Sequence, residues 1–498
     1  MTANLYDLVV VGAGMGGLAL AAQAQRSGRR VALLESHSHL GGCAGWFDRG
    51  PYVFDAGATA LMGLRSGEPL GRLLEEIGLS FQGVETPSYR VYLPDREIDI
   101  VRDDNVFERA IQSCFPGQEA AKRRFWRWQA RIGSELFRAA SQCPRLSWRN
   151  PADLAHDLRT LGPSGIAAAS TSLITVAHVL KLLGLANDRP FRTLVAMLLQ
   201  DTAQAGPDVV PFANACACLQ AYRLGMSRPA GGMRALTEGI GQCFATLGGL
   251  LRTSTIVDRV DGPDKPGPGQ PFEVWTRRRE RFLAREVAFN LPVDRAASLL
   301  GRSLQGRLAR CERKSRAAWS AFTGYLALDR AAIPDSTPLF HQVLQDYEAP
   351  IHDGNHVLIS LSPLEDSGYG PPDTRVATLS THVRPADWLE LDPTAYQTRK
   401  AEYQSRLLGA LDRAFPNGSS ALRHSEFASP RSFLRYTRRS LGAVGGPPVS
   451  RRNSNLLAVG ADLLGQGLWL VGDSVFPGQG TMAVVLSARR VLEQLAPS

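Results

Sequence analysis

The chain has 498 residues, of which 44% are hydrophobic and 21% charged, and its formal net charge is +9. That length exceeds one hydrophobic core and implies two or three lobes, while the composition is that of a globular protein rather than a disordered or fibrous one. The excess charge is almost all Arg, scattered and densest over Arg277 to Arg285, with no basic helix or aromatic–basic repeat, which excludes a nucleic-acid partner and leaves a solvated basic surface or attraction to an anionic membrane.

The seven cysteines are dispersed and form no Cys-x-x-Cys pair. This pattern fits buried thiols in a reducing cytoplasm, with no disulfide framework and no metal site. The N-terminus has no basic region leading into an apolar stretch, so a secretory signal is not expected. No stretch reaches ~18 apolar residues, so no helix is expected to span a bilayer.

The first forty residues carry the strongest pattern. The apolar run Leu8 to Val11 predicts a strand, Gly12, Gly14 and Gly17 follow it, and an Ala-rich helical pattern comes next. A second apolar run, Val31 to Leu34, ends in Glu35. Strand, glycine turn, helix, strand and acid is the order of a dinucleotide-binding βαβ unit. The glycines allow a tight turn, a close approach of backbone to pyrophosphate, and close helix–strand packing. Free N–H groups at the helix start attract phosphate. Glu35, about 18 residues past Gly17, is placed to accept hydrogen bonds from ribose hydroxyls. By itself the motif admits NAD or FAD.

Beyond Glu35, His37 and His39 read as loop residues without a metal role, and Gly41-Gly42 gives a second backbone approach beside the cofactor. Tyr52 to Thr59 is a short strand turning at Gly57. Gly67 to Leu79 reads as a helix, and Arg90–Leu93 and Glu97–Val101 as two strands about Pro94-Asp95. Phe107 to Phe137 is helical with a break at Pro116-Gly117, and Ser147 to Gly165 is a connector. Gly165 to Leu185 and Phe191 to Leu199 predict apolar helices that are either core or the lining of an apolar tunnel or interfacial surface. His178 on them reads as a core histidine. Arg228 to Leu236 turns into the helix Met233 to Leu247. Thr253 to Val260 and Pro271 to Trp275 form a hairpin joined by Asp261 to Gln270, and Glu286 to Phe289 is a strand ending in Asn290-Leu291-Pro292.

Arg295 to Gln305 is expected to be helical. Ala317 to Leu328, Val357 to Leu361 and Arg375 to Val383 are strands of a second sheet. Thr394 to Phe415 is a long helix, and Pro430 to Pro448 a basic, Gly-rich loop whose Arg431, Arg435, Arg438 and Arg439 face solvent. Gly467 to Ser474 is a strand into a turn, and Val475 to Gly480 leads into the closing helix Thr481 to Leu495.

Several of these stretches carry a family resemblance: Gly41-Gly42-Cys43-Ala44, Phe54 to Thr59, Tyr92-Leu93-Pro94, Leu185 to Asp188, Ser429 to Phe433 with Tyr436-Thr437, Ala443 to Gly446, Leu468 to Ser474 and Pro477 to Gly480. With the N-terminal motif, the chain resembles the FAD-containing, amine-oxidase-type flavoproteins of the phytoene desaturase class. It is most similar in pattern to the cyanobacterial-type carotenoid 3′,4′-desaturases and the related carotenoid isomerases. In many relatives an Arg follows the second glycine pair; here Cys43 does.

The resemblance implies an α/β fold: a Rossmann-like, glutathione-reductase-like or amine-oxidase-like FAD-binding domain (1–85, 226–295 and 420–498), and a second α+β substrate and membrane-associating domain (86–225 and 296–419) with a mixed sheet and apolar helices. FAD would lie extended, with adenosine over the first unit, adenine against the backbone of Val257, the ribityl chain on Gly472-Asp473 and the flavin at the C-terminal turn. The implied cofactor-binding set is Gly12, Ala13, Gly14, Met15, Gly16, Gly17, Glu35, Ser36, Gly41, Gly42, Cys43, Ala44, Gly57, Ala58, Thr59, Val257, Asn290, Gly472, Asp473, Gly478, Gln479, Gly480 and Thr481. No catalytic residue is assigned, since the cofactor carries the chemistry and the protein supplies alignment and dryness. The implied activity is carotenoid desaturation, with cis–trans isomerisation on reduced FAD and non-catalytic carotenoid or lipid carriage as the alternatives. A carotenoid substrate, a quinone or oxygen as electron acceptor, and a cytoplasmic enzyme bound peripherally to membrane complete the expectation.

Overall fold

The structure is a computed structural model describing residues 5–142, 151–262 and 270–495. The apolar run of the first strand, Leu5–Val11, is buried on both faces. Leu8 and Val10 point into one core with Val31 and Leu33, and Val9 and Val11 into another with Ala32 and Leu34. Burial on both faces is why these segments read as unbroken apolar runs, and it is typical of parallel sheets covered by helices. Leu5–Val11 lies between Val31–Leu34 and Arg281–Phe289, parallel to both. Leu250–Arg252 and Leu468–Leu470 extend the parallel portion, and the antiparallel strands Val257–Asp261 and Phe272–Thr276 finish the seven-stranded sheet. The helix Met15–Arg26 packs against the helices Gly232–Thr246 and Thr481–Leu492, so both ends of the chain meet on one face.

The second seven-stranded sheet runs in the order Leu422–Ala428, Ser320–Asp329, Thr374–Val383, His356–Leu361, Phe340–Leu344, Ser88–Leu93 and Arg96–Val101. Only Phe340–Leu344 and Ser88–Leu93 pair in parallel. One face is sealed by the helix Pro393–Ala414, whose Tyr403, Leu407 and Leu411 pack on Phe322, Leu326, Ile359 and Leu379. The opposite face turns toward the helices Glu119–Ser141, Arg189–Ala203 and Phe212–Leu224 and their own apolar core. Leu422–Ala428 belongs to this second sheet, so the segment 420–498 does not lie wholly with the first.

Other sequence expectations need correction. The connector expected over Ser147 to Gly165 begins outside the described residues, and its remainder belongs to the helix Pro151–Ser170, kinked at Gly162 (φ 62°). The Gly165 to Leu185 stretch is divided: after that helix come a short 3-10 turn, Thr171–Leu173, and the helix Val176–Leu182. Arg295 to Gln305 is helical only within Val293–Leu299, because Gly301 adopts a positive φ just beyond it. Pro430 to Pro448 is not all loop: Pro430–Thr437 is a helix capped by Ser429, with Ser432 completing a capping box. The hairpin strands are Val257–Asp261 and Phe272–Thr276, and most of the joining loop lies outside the described residues.

Candidate functional site

The glycine loop sits where the parallel strands end, the place at which open α/β sheets bind ligands. Asn290, immediately after Arg281–Phe289, is the wedge that shapes it. Its backbone N–H donates to Val11 O (2.9 Å) and its Nδ2 to Val471 O (3.0 Å). A Cβ on Gly14 would come within 2.4 Å of Asn290 Oδ1, and one on Gly17 within 2.1 Å of Gly12 O. Neither position admits a side chain. A Cβ on Gly16 would lie 2.9 Å from Gly472 Cα, so the first glycine loop and the C-terminal turn touch directly.

Glu35 ties the second strand to this loop. Its Oε2 accepts the Ala13 N–H (2.7 Å), and its Oε1 accepts the His37 N–H (2.7 Å) and the Ser36 hydroxyl (3.1 Å). A carboxylate has about four acceptor sites, so one on Oε2 stays free for a further donor. Thr255, two residues before Val257, donates its N–H to Glu35 O (2.7 Å), which puts Val257 beside the acid.

A cavity of about 460 Å³ begins at this loop. Its walls include Gly14, Met15 and Gly16, then Gly41, Cys43 and Ala44, then Gly57 to Thr59, Asn290, Gly472, Asp473 and Gln479 to Thr481. Gly12, Ala13, Gly17, Glu35, Ser36, Gly42, Val257 and Gly478 are not among the walls; the first three lie inside the turn itself. The helix Thr481–Leu492 starts at the cavity, and Met62 N–H donates to the Thr481 hydroxyl (3.3 Å). Beyond it the cavity is lined by Leu136, Phe137 and Phe340, and by the inner face of the second sheet at Ser360, Thr378 and Ser380.

Arg439 is the main residue that sequence reasoning misplaced. Expected in solvent, it is largely buried. Its Nη1 donates to Asp473 Oδ1 (3.1 Å) and Oδ2 (2.9 Å), and its Nη2 to Gly445 O (2.8 Å). Burial works against the Arg439 charge, but Asp473 and the neighbouring Cys43 override it, so the guanidinium is held above its ordinary range. Burial pushes the Cys43 thiol up, against the pull of Arg439. Arg431 also turns inward, donating to the carbonyls of Trp388 (3.1 Å), Leu389 (3.3 Å) and Leu391. Arg435 and Arg438 are exposed as expected.

Two further residues went unread. Asp55 and Arg228 form an ion pair (3.1 Å) with no solvent exposure. Arg228 also donates to Thr59 O (3.1 Å) and Ser360 Oγ (3.0 Å), while Asp55 accepts the Met233 N–H (2.8 Å). Together they lock the Gly57–Thr59 wall to the helix Gly232–Thr246. The signal lay in Phe54-Asp55-Ala56-Gly57 and Arg228-Pro229, charged residues set in small-residue turns.

The walls suit an extended dinucleotide: positions with no room for a Cβ, a helix N-terminus, and two buried polar atoms, Arg439 Nε and Gln479 Oε1, with no protein partner among the described residues. Among the described residues, no cluster of three or more metal-ligating side chains occurs, and no helix is long and apolar enough to cross a membrane.

Residues 10–77 match the family model of an NAD(P)-binding Rossmann-like domain. The chain is 24% identical to the chloroplastic prolycopene isomerase of Arabidopsis thaliana, over 97% of its own length and 81% of the relative's. It is 25% identical to the lycopene-forming phytoene desaturase of a Paracoccus species, over 97% and 95%. Among solved structures, cyclohexylamine oxidase of Brevibacterium oxydans shares its fold, with a TM-score of 0.61 at 15% identity and coverage of 98% and 99%. With a glycine-loop sheet joined to a second sheet across one cavity, the chain is similar from end to end to the carotenoid desaturases and isomerases.

Proposed function

We propose that this chain is an FAD-dependent enzyme that desaturates a carotenoid, in the manner of a 3′,4′-desaturase. The observation that carries the reading is the single cavity that runs from the glycine loop past Asp473 and the start of Thr481–Leu492 to walls of Leu136, Phe137 and Phe340. Such a cavity suits a nucleotide at one end and a long apolar substrate at the other. A bound flavin supplies the two-electron acceptor. The chain's own part is placement and dryness. The N–H groups of Gly480 to Ala483 give a positive partial charge beside the cavity, Gln479 is anchored by donating to Thr202 O (3.1 Å), and the apolar walls exclude water. The likeness to the Paracoccus desaturase supports this reading.

Carotenoid cis–trans isomerisation is the second reading, favoured by the full-length likeness to the plant prolycopene isomerase. The test is to incubate purified, flavin-loaded protein with a carotene in liposomes and to record mass and absorption together. Loss of two hydrogens with a red shift is the expected result. Unchanged mass with altered cis bands establishes isomerisation, and tight pigment binding with neither change establishes a carrier.

A carotene must be loaded from a bilayer. The exposed residues Leu173 (75%), Leu182 (73%), Val209 and Leu457 offer the apolar contact, with the exposed Arg451 donating to Leu173 O beside them. The helix Glu119–Ser141 supplies Leu136 and Phe137 to the cavity and packs on Pro151–Ser170, which runs into the turn that carries Leu173. Flotation with anionic liposomes at low salt, weakened at high salt, is the expected outcome; recovery in the soluble fraction under both conditions overturns it.

A further inference from the structure

One wall of the cavity carries a row of alternate residues on the strand Thr374–Val383: Thr378, Ser380 and His382. Alternate residues of a strand share a face. His382 ends the row, and its ring lies against Trp319, with centroids 6.1 Å apart. Trp319 Nε1 donates to Gln204 O (2.9 Å), the Val444 N–H donates to Trp319 O (2.9 Å), and Gln204 Nε2 donates to Val444 O (2.9 Å). A Cβ on Gly445 would come within 2.4 Å of Gln479 Oε1, so this group of residues abuts the C-terminal turn against which a bound flavin is read.

The inference rests on the desaturation reading above. Desaturation breaks two C–H bonds on neighbouring carbons. One hydrogen leaves with its electron pair, as hydride to the bound flavin. The other leaves as a proton, and its electron pair becomes the second bond of C=C. A dry cavity needs a group that takes this proton and gives it up again before the next turnover.

Among the described residues that line the cavity, three side chains can take up a proton near neutral pH: Asp201, Asp473 and His382. Both oxygens of Asp473 are held by Arg439. Asp201 Oδ2 accepts the Tyr222 hydroxyl (2.5 Å) and Gln342 Nε2 (3.3 Å). Gln342 Nε2 also faces Tyr89 Oη and Tyr222 Oη, both at 3.1 Å, which leaves its Oε1 to accept from His356 Nε2 (3.0 Å). Tyr89, Tyr222, Gln342 and His356 are all buried, so a proton placed on Asp201 has no outlet through this cluster.

His382 differs on both counts. Its ring has no hydrogen bond to a described residue, and burial, helped by the charge of His352, pushes its pKa down to about 4. The ring is therefore neutral at pH 7 and keeps one lone-pair nitrogen, while its protonated form sheds the proton readily. The outlet adjoins it. The Asp353 N–H donates to His382 O (2.9 Å), Trp319 also touches His352 (centroids 5.0 Å apart), and His352 Nδ1 lies 2.6 Å from Asp353 Oδ2 with both side chains partly exposed.

We propose that His382 is the catalytic residue that accepts the proton released by the polyene, and that the His352–Asp353 pair beside it returns that proton to solvent. A weak base suffices, because a C–H bond beside a carbon that is losing hydride is strongly acidic.

The experiment follows, without oxygen, the bleaching of the yellow flavin when the loaded protein is mixed with a carotene in liposomes. The unaltered protein is expected to bleach as the pigment loses two hydrogens. His382→Ala, with flavin content as the folding check and an unchanged dissociation constant for the pigment, is expected to bleach about 100-fold more slowly, the scale of general-base catalysis. Added imidazole should restore part of that rate by occupying the vacated space. His382→Gln fills the space and is expected to be as slow, without rescue. A second readout uses the flavin-free protein: bound carotene should shield His382 from carbethoxylation by diethyl pyrocarbonate, read by peptide mass. Bleaching of both variants at the unaltered rate, or no shielding of His382, overturns the assignment and leaves the desaturation reading intact. Slow bleaching with weakened pigment binding and no imidazole rescue also overturns it, because His382 then only shapes the cavity. If the unaltered protein neither bleaches nor removes hydrogen from the pigment, the desaturation reading falls and the assignment with it.

Discussion

Arg439 closes a two-toothed ion pair on Asp473, at 3.1 and 2.9 Å from its two oxygens, with both side chains more than four-fifths buried. The pair joins the segment after the helix Pro430–Thr437 to the C-terminal turn and forms part of the cavity wall. Removing one member of a buried pair strands the other charge, a loss of about 3 to 5 kcal/mol. Arg439→Met is therefore expected to lower the stability of the flavin-free protein by about 3 kcal/mol in urea titration. The double variant Arg439→Met/Asp473→Asn should recover part of the loss, because no buried charge is stranded. A single variant as stable as the unaltered protein would show that the pair contributes nothing net.

Gly14→Val is expected to abolish flavin retention. Its Cβ would lie 2.4 Å from Asn290 Oδ1, and Asn290 is fixed by its bonds to Val11 and Val471. The loop must therefore move away from the C-terminal turn. The yellow absorbance of the purified protein reads this directly, and a variant with full flavin content would refute the placement of the nucleotide loop.

The glycine loop was legible because its requirements are local: a turn, a close contact and an acid within one short segment. What stayed hidden was assembled over distance. Tyr89 and Gln342 are 253 positions apart and meet only because their strands pair in parallel. The strand Phe340–Leu344 itself escaped prediction because it buries polar residues on both faces. His341, with Nε2 2.8 Å from Pro338 O, points one way, and Gln342, inside its cluster, points the other. No alternation of apolar and polar residues survives such a sequence. Arg439 was misread for a related reason: a run of arginines suggests solvent, and nothing nearby in sequence marks Asp473 as the partner of one of them.

The helix Pro430–Thr437 hid behind the same arginines, although Ser429-Pro430 with Ser432 spells its cap. Ser429 accepts from the Arg431 N–H (3.3 Å), its own N–H donates to Ser432 Oγ (3.3 Å), and its hydroxyl also meets Tyr396 Oη (2.9 Å). Ser429→Ala is expected to cost about 1 kcal/mol, measured as a shift of the urea midpoint at unchanged slope. A loss below the error of that measurement would mean that water replaces the cap.

Three histidines give the protein an acid limit. Burial pushes His356 down to about 3 and His341 and His382 to about 4, against an ordinary value of 6.5. The unfolded chain therefore binds protons at these sites between about pH 6.5 and pH 3 to 4 while the folded chain does not. Stability is full above that window and falls as pH drops through it, by up to about 1.4 kcal/mol per pH unit for each histidine. The buried carboxyls of Asp55 and Asp201 act in the opposite sense. Burial raises them above 3.8, so they favour the unfolded chain as pH rises through that region and flatten the lower part of the curve. Carboxylates held down by arginine partners, Asp95 by Arg96 and Asp373 by Arg423, add to the loss at lower pH, so the net expectation is a loss of stability that begins just below pH 6.5. His356→Gln keeps a donor for Gln342 Oε1 and removes one titrating site. Urea midpoints measured across this range should therefore show a shallower slope in the variant than in the unaltered protein, and equal slopes would mean that His356 titrates in the folded chain as it does in the unfolded one.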